Sequence, residues 1–153
     1  MEVFTERGND VTIFLLIKAI QTFLENELVD DAFAVPNVYL GDLPPNSADS
    51  QEDPEYPFII IRPFEGEGGK DNIQSQIKLL FRTRPRDNSG FIDLLNLMER
   101  VRILLMRQGI LEKKFAINDS WKWKLIEEQP MLEWVGEVIT TWTLPQIKRE
   151  VKI

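Results

Sequence analysis

The side chains of this chain that could do chemistry are carboxylates, and they stand in close pairs: Asp30/Asp31, Glu65/Glu67 and Glu127/Glu128. A glycosidase opposes two carboxyl groups across a cleft, an arrangement that near neighbours in sequence seldom reach. The chain has no histidine and no cysteine. That removes the commonest general base and transition-metal ligand, and with it any histidine-based triad. It also excludes disulfides, thiolate zinc sites, iron–sulfur clusters and a cysteine nucleophile. The acidic stretch from Asp42 to Glu55 could hold calcium weakly, but it lacks the ordered ligand spacing of a calcium loop. Glu65-Gly-Glu-Gly-Gly-Lys-Asp-Asn72 is rich in glycine, yet no Lys-Ser/Thr pair closes it and no helix pattern follows. These residues form no catalytic constellation. The expectation is a protein that is not an enzyme and takes no cofactor and no metal. Carboxylate, lysine or magnesium chemistry remains the alternative.

The elements that must position these groups read as follows. Asp10 is placed to cap a helix over residues 11–29, with Phe14, Leu15, Lys18, Ala19, Thr22, Phe23 and Asn26 at helical spacing. Ile13, Leu16, Ile17 and Ile20 widen that stripe, so the helix is expected to be covered on more than one side. A short strand follows at Val38–Leu40. Phe58–Arg62 is a central strand, with Pro63 expected to end it. Residues 65–72 read as the turn of a hairpin. Ile73–Thr83 alternates Ile73, Ser75, Ile77, Leu79 and Phe81 against Gln74, Gln76, Lys78, Leu80 and Arg82, the pattern of a half-buried antiparallel strand.

Pro85–Gly90 offers several caps for a second helix over residues 90–108. Its stripe is Phe91, Leu94, Leu95, Met98, Val101 and Leu105, helped by Ile92, Leu97 and Ile103, and Gly109 is a good terminator. Trp121–Glu128 and Glu133–Leu144 then alternate as a hairpin. The four tryptophans lack the basic surround of a base-stacking surface and are expected in the core or at an interface. The fold class is therefore α+β. A single domain over residues 1–145 is expected to hold a mostly antiparallel sheet of four to five strands against two main helices.

Charge divides the chain. Residues 1–69 hold fourteen acids and three bases, a net −11, and residues 70–153 hold eleven acids and fifteen bases, a net +4. Either this is drift along a solvated surface, or an acidic face of one subunit meets a basic face of the next. The overall −7 disfavours nucleic-acid binding. The 41–57 loop carries four prolines, five acids and no base, and is expected to be a mobile loop that orders only in an assembly, a permanently floppy insertion being the alternative. The tail 146–153 is basic and alternates Ile147, Arg149, Val151 and Ile153, which suits an added edge strand on a neighbour. Candidate contact residues are Asp42, Asp49, Glu52, Asp53, Glu65, Glu67, Lys70, Lys148, Arg149 and Lys152. No signal peptide or membrane span is read in the sequence, so a cytoplasmic site of synthesis is expected.

Four segments carry a resemblance: Tyr56-Pro-Phe-Ile-Ile-Ile-Arg-Pro-Phe-Glu-Gly-Glu, Gly90-Phe-Ile-Asp-Leu-Leu-Asn-Leu-Met-Glu-Arg-Val-Arg, Trp121-Lys-Trp and Trp134-Val-Gly-Glu-Val-Ile-Thr-Thr-Trp142. In this order, from the first helix to Pro145, the chain resembles the tail terminator, or tail-completion, proteins of long-tailed bacteriophages and prophages. The resemblance implies a non-enzymatic virion subunit, assembled in the bacterial host cytoplasm into a homo-oligomeric, hexameric ring. Its implied partners are the tail-tube protein, whose growth the ring ends, and the head connector. If the ring surrounds the DNA channel, acids such as Glu65, Glu67 and those of the 41–57 loop could line it. Another neck or minor tail component, or a protein-binding adaptor domain, is the alternative reading.

Overall fold

Alternation of apolar and polar side chains dictates the longest strands. The computed structural model, which describes residues 12–29, 35–43, 55–69 and 71–145, joins them in one curled sheet. In chain order the elements are α1 (Ile13–Glu27), β1 (Asn37–Leu40), β2 (Phe58–Gly68), β3 (Ile73–Thr83), α2 (Asn88–Gln108), β4 (Ile110–Leu111), β5 (Phe115–Leu125) and β6 (Trp134–Leu144). The sheet has six strands in the order β1-β2-β3-β6-β5-β4. β1 pairs with β2 in parallel and every other pair is antiparallel. The protein is thus α+β, with one strand more than the sequence suggested.

Both helices lie on one face. α1 touches β1, β2 and β4, and α2 touches β3, β6 and β5. Because α1 meets strands from both edges, the sheet must curl around it. The core between them holds Leu16, Ile20 and Leu24 of α1, Leu94, Val101 and Leu105 of α2, and Ile59, Ile61, Ile77, Leu79, Phe81, Val138 and Trp142 of the sheet. Each such side chain contributes about 1.5–3 kcal/mol by leaving water. Trp142 is polar at one end, and that end is satisfied: its Nε1 donates to Thr140 Oγ1 at 2.8 Å, which donates to the Ile77 carbonyl at 2.9 Å.

Several expectations need correction. Thr12 caps α1, its Oγ1 accepting from the Leu15 amide at 3.2 Å, while Asp10 lies outside the described residues. The buried face of α1 is Leu16, Ile17, Ala19, Ile20 and Leu24, and Phe14 is 60% exposed. Ile13–Ile17 are apolar at every position, so periodicity could not choose the face. β2 does not stop at Pro63. It runs on to Gly68, with a bulge between Pro63 and Glu65 absorbing the missing donor. Glu65–Gly68 are therefore strand, and the turn is shorter, closed by the Gly69 amide donating to the Asn72 carbonyl at 2.8 Å.

β5 begins at Phe115 rather than Trp121, and β4 had no reading of its own. Asn118-Asp119-Ser120 lies at an irregularity in the β5–β6 register between Ile117 and Trp121. In α2, Ile92 and Ile103 point to solvent and do not join the core. The ends of α2 are as local chemistry requires. Asp87 accepts from the Ser89 and Gly90 amides at 2.9 and 3.1 Å. Gly109 closes the helix at φ +74°, where a side chain would be strained.

Candidate assembly surface

Strand alternation gives the sheet a second face that neither helix covers. Register places Phe58 and Ile60 of β2, Lys78, Leu80 and Arg82 of β3, Val135 and Glu137 of β6 and Lys122 and Lys124 of β5 on it. This face mixes charged with apolar side chains, of which Phe58, Ile60 and Val135 are buried, and its charges are ordered in pairs. Glu137, almost fully buried, sits between two lysines, with Lys78 Nζ at 3.8 Å and Lys124 Nζ at 3.3 Å.

At one end of the face, Glu133 accepts from the Tyr56 hydroxyl at one oxygen and from Arg82 Nη1, 3.2 Å away, at the other. Three alternate arginines each lie over a ring: Arg82 over Phe58 at 5.8 Å, Arg84 over Tyr56 at 4.4 Å and Arg86 over Trp134 at 3.7 Å. Trp134 also donates from Nε1 to the Asp87 carbonyl at 3.0 Å and packs on Phe91. Burial, then the hydrogen bond and charge of Glu133, push the Tyr56 hydroxyl up to about 12. It stays protonated at neutral pH, a donor and not a nucleophile. The cluster ties three turns together, and no reacting group is exposed by it.

Of the predicted contact residues, Asp42, Glu65 and Glu67 are described, and all three are exposed. Asp42 follows β1 and pairs with Arg62 at 3.6 Å. Glu65 and Glu67 lie further along the same strand as Arg62, on the uncovered face, opposite Gln76 and Gln74. One sheet border therefore brings these three acids into line. Asp49, Glu52, Asp53, Lys70, Lys148, Arg149 and Lys152 lie outside the described residues. The Tyr56–Glu133–Arg82 cluster was missed. The alternation Arg82-Thr-Arg-Pro-Arg86 was its one local signal, and the carboxylate it needs is remote in sequence.

Among the described residues no three potential ligands gather as a metal ion would require. No described helix is long and apolar enough to cross a membrane. What the fold and surface define is a class: an α+β domain with a curled mixed sheet, one helix-covered face and one charged open face. No protein-family model matches the chain, and no curated protein matches it significantly.

Proposed function

We propose that this protein is a non-enzymatic assembly subunit of a long-tailed phage or prophage. In this reading it forms a ring that caps the tail tube, ends tail growth and joins tail to head. The observation that supports it is the mapping of charge onto the sheet. Asp42, Glu65 and Glu67 outnumber Arg62 along the β1–β2 border, whereas Lys113, Lys114, Lys122 and Lys124 outnumber Glu112 and Asp119 at the β4–β5 border, four strands away. Opposite charge on two different surfaces of one chain favours head-to-tail contact, the geometry that closes into rings. Exposed apolar side chains, including Phe64, Trp123, Met131 and Leu132, add the hydrophobic area such contacts use.

The test is deletion of the gene from the phage or prophage that carries it, followed by electron microscopy of the particles. Tail tubes of uncontrolled length without heads are expected. Tails of normal length joined to heads would overturn the reading.

A further inference from the structure

Both borders of the sheet are stepped. At one, β1 covers only Phe58–Ile61 of β2, and no described strand lies outside Pro63–Gly68. At the other, β4 covers only Phe115 and Ala116 of β5, and no described strand lies outside Asn118–Leu125. The two open edges carry matching patterns of opposite charge. Glu65-Gly-Glu-Gly68 sets its carboxylates on the uncovered face and its glycines on the helix-covered face, opposite Ser75 and Ile73. Trp121-Lys-Trp-Lys124 sets its lysines on the uncovered face and its tryptophans on the helix-covered face, opposite Thr140 and Val138. Beside the two glycines lies a cleft of about 400 Å³, lined by Phe64, Ile73, Ser75 and Ile77 among others. Trp123, by contrast, leaves 59% of itself in solvent. One edge lacks the side chains that the other holds out.

We infer that β5 of one copy of this chain adds beside β2 of a second copy, continuing the sheet from chain to chain. Within one chain β3 and β6 stand between these strands, so only another copy can bring them together. β2 and β5 run in opposite directions, and head-to-tail addition with the helices on one side makes the new pair antiparallel. Pairing Glu65 with Lys124 and Glu67 with Lys122 sets Gly66 against Trp123 and Gly68 against Trp121. Both carboxylates then meet an ammonium, and aromatic rings cover the edge glycines. Lys124 also keeps Glu137, 3.3 Å from its Nζ in its own chain. The backbone agrees with this register. By alternation, the Gly69–Asn72 bond turns the amides and carbonyls of Gly66 and Gly68 outward, and the Ile126–Val135 bond does the same for Trp121 and Trp123. Neither short strand obstructs the contact, because β4 falls past the β2–β3 turn and β1 falls past Leu125. Trp123 is level with Leu79 through Val138, and Gly66 with Ser75, so successive copies are staggered by four residues over the four strands β2, β3, β6 and β5. About one residue per strand is the stagger of closed barrels whose strands tilt by about 36°, so the contact suits a ring. The inference deepens the assembly reading and rests on it for the meeting of two copies.

In this register Glu67 and Lys122 face each other as a non-hydrogen-bonded pair, with Cα atoms about 4.5 Å apart and within disulfide reach. The chain has no cysteine, so introduced thiols report unambiguously. Full-length Glu67→Cys and a size-tagged full-length Lys122→Cys are mixed and oxidised, with Asp93→Cys, exposed on α2, replacing Lys122→Cys as control. A disulfide-linked heterodimer from the first mixture, and little from the control, is expected. Glu67→Lys alone and Lys122→Glu alone should each weaken self-association by about tenfold, and the two changes in one chain should restore it. Linkage that appears only after residues 146–153 are removed would give the β2 edge to the chain's own tail and overturn the inference. Self-association by sedimentation without the cross-link, or unmoved by either charge reversal, would overturn the strand pairing and leave the assembly reading standing. A wild-type chain that stays monomeric at every concentration and on purified tail tubes would overturn both.

Discussion

Tyr56 and Glu133 are joined by a hydrogen bond that spans 77 positions of sequence. Because Glu133 also takes Arg82 at its other oxygen, the contact fastens the start of β2 to the turn before β6 across the intervening strand β3. The residues that lead into the acidic border and the hairpin that carries Trp134 are thus held by one buried carboxylate.

Removing the hydroxyl leaves that carboxylate short of a donor. Tyr56→Phe is expected to cost about 1–2 kcal/mol in urea unfolding. The same contact predicts alkaline sensitivity. Tyr56 titrates at about 12 when folded against an ordinary 10.0, raised first by burial and then by Glu133. Its contribution to stability is whole below pH 10.0 and is lost as the pH rises toward about 12. In a Tyr39→Phe background Tyr56 is the single tyrosine, and tyrosinate absorbance should show the raised midpoint directly. A midpoint at the ordinary value would remove the hydrogen bond from the account.

Glu137 makes a second, independent test of the open face. Its carboxylate is nearly buried between Lys78 and Lys124, whose side chains are 22% and 68% exposed. Glu137→Gln leaves the half-buried Lys78 without its counter-charge and is expected to cost about 1–2 kcal/mol. Lys124→Ala removes only a solvated partner and should change stability by about 0.5 kcal/mol or less. Equal losses in thermal or urea unfolding would contradict this ordering.

Gly90 is required by contact rather than by conformation. A Cβ there would lie 1.8 Å from the Pro85 carbonyl oxygen, and the Gly90 carbonyl itself accepts from Thr83 Oγ1 at 2.7 Å. Gly90→Ala should cost about 3 kcal/mol or more, because backbone and not a flexible side chain must move. Asn96→Ala, exposed on the same helix, should change stability by about 0.5 kcal/mol or less. The difference is read as the gap between their melting temperatures.

Much of this architecture is written locally. The alternation of Ile73–Thr83 predicts which side chains of β3 are buried, and burial follows it through Ser75, Ile77, Leu79, Phe81 and Thr83. The caps and stripe of α2 are equally legible, since Asp87, Gly109 and the Leu94–Leu105 spacing act within a few residues of themselves. The acidic character of the β1–β2 border was also visible in the residue types, although its continuity as a strand edge was not.

What the residues alone determined are the terms that depend on near neighbours: turn and cap chemistry, strand alternation, the division of charge and the lack of histidine and cysteine. Tertiary structure decided everything that needs a remote partner. Five consecutive apolar residues left the buried side of α1 open until the curled sheet chose it. Pro63 reads as a stop until a bulge lets β2 pass it and carry Glu65 and Glu67 into a strand. Glu133 reads as one more acid until the hairpin delivers it to Tyr56 and Arg82. The reason is physical: a helix or a strand specifies its own period, but register and partner are set by which distant surfaces can be buried and which distant charges paired at once.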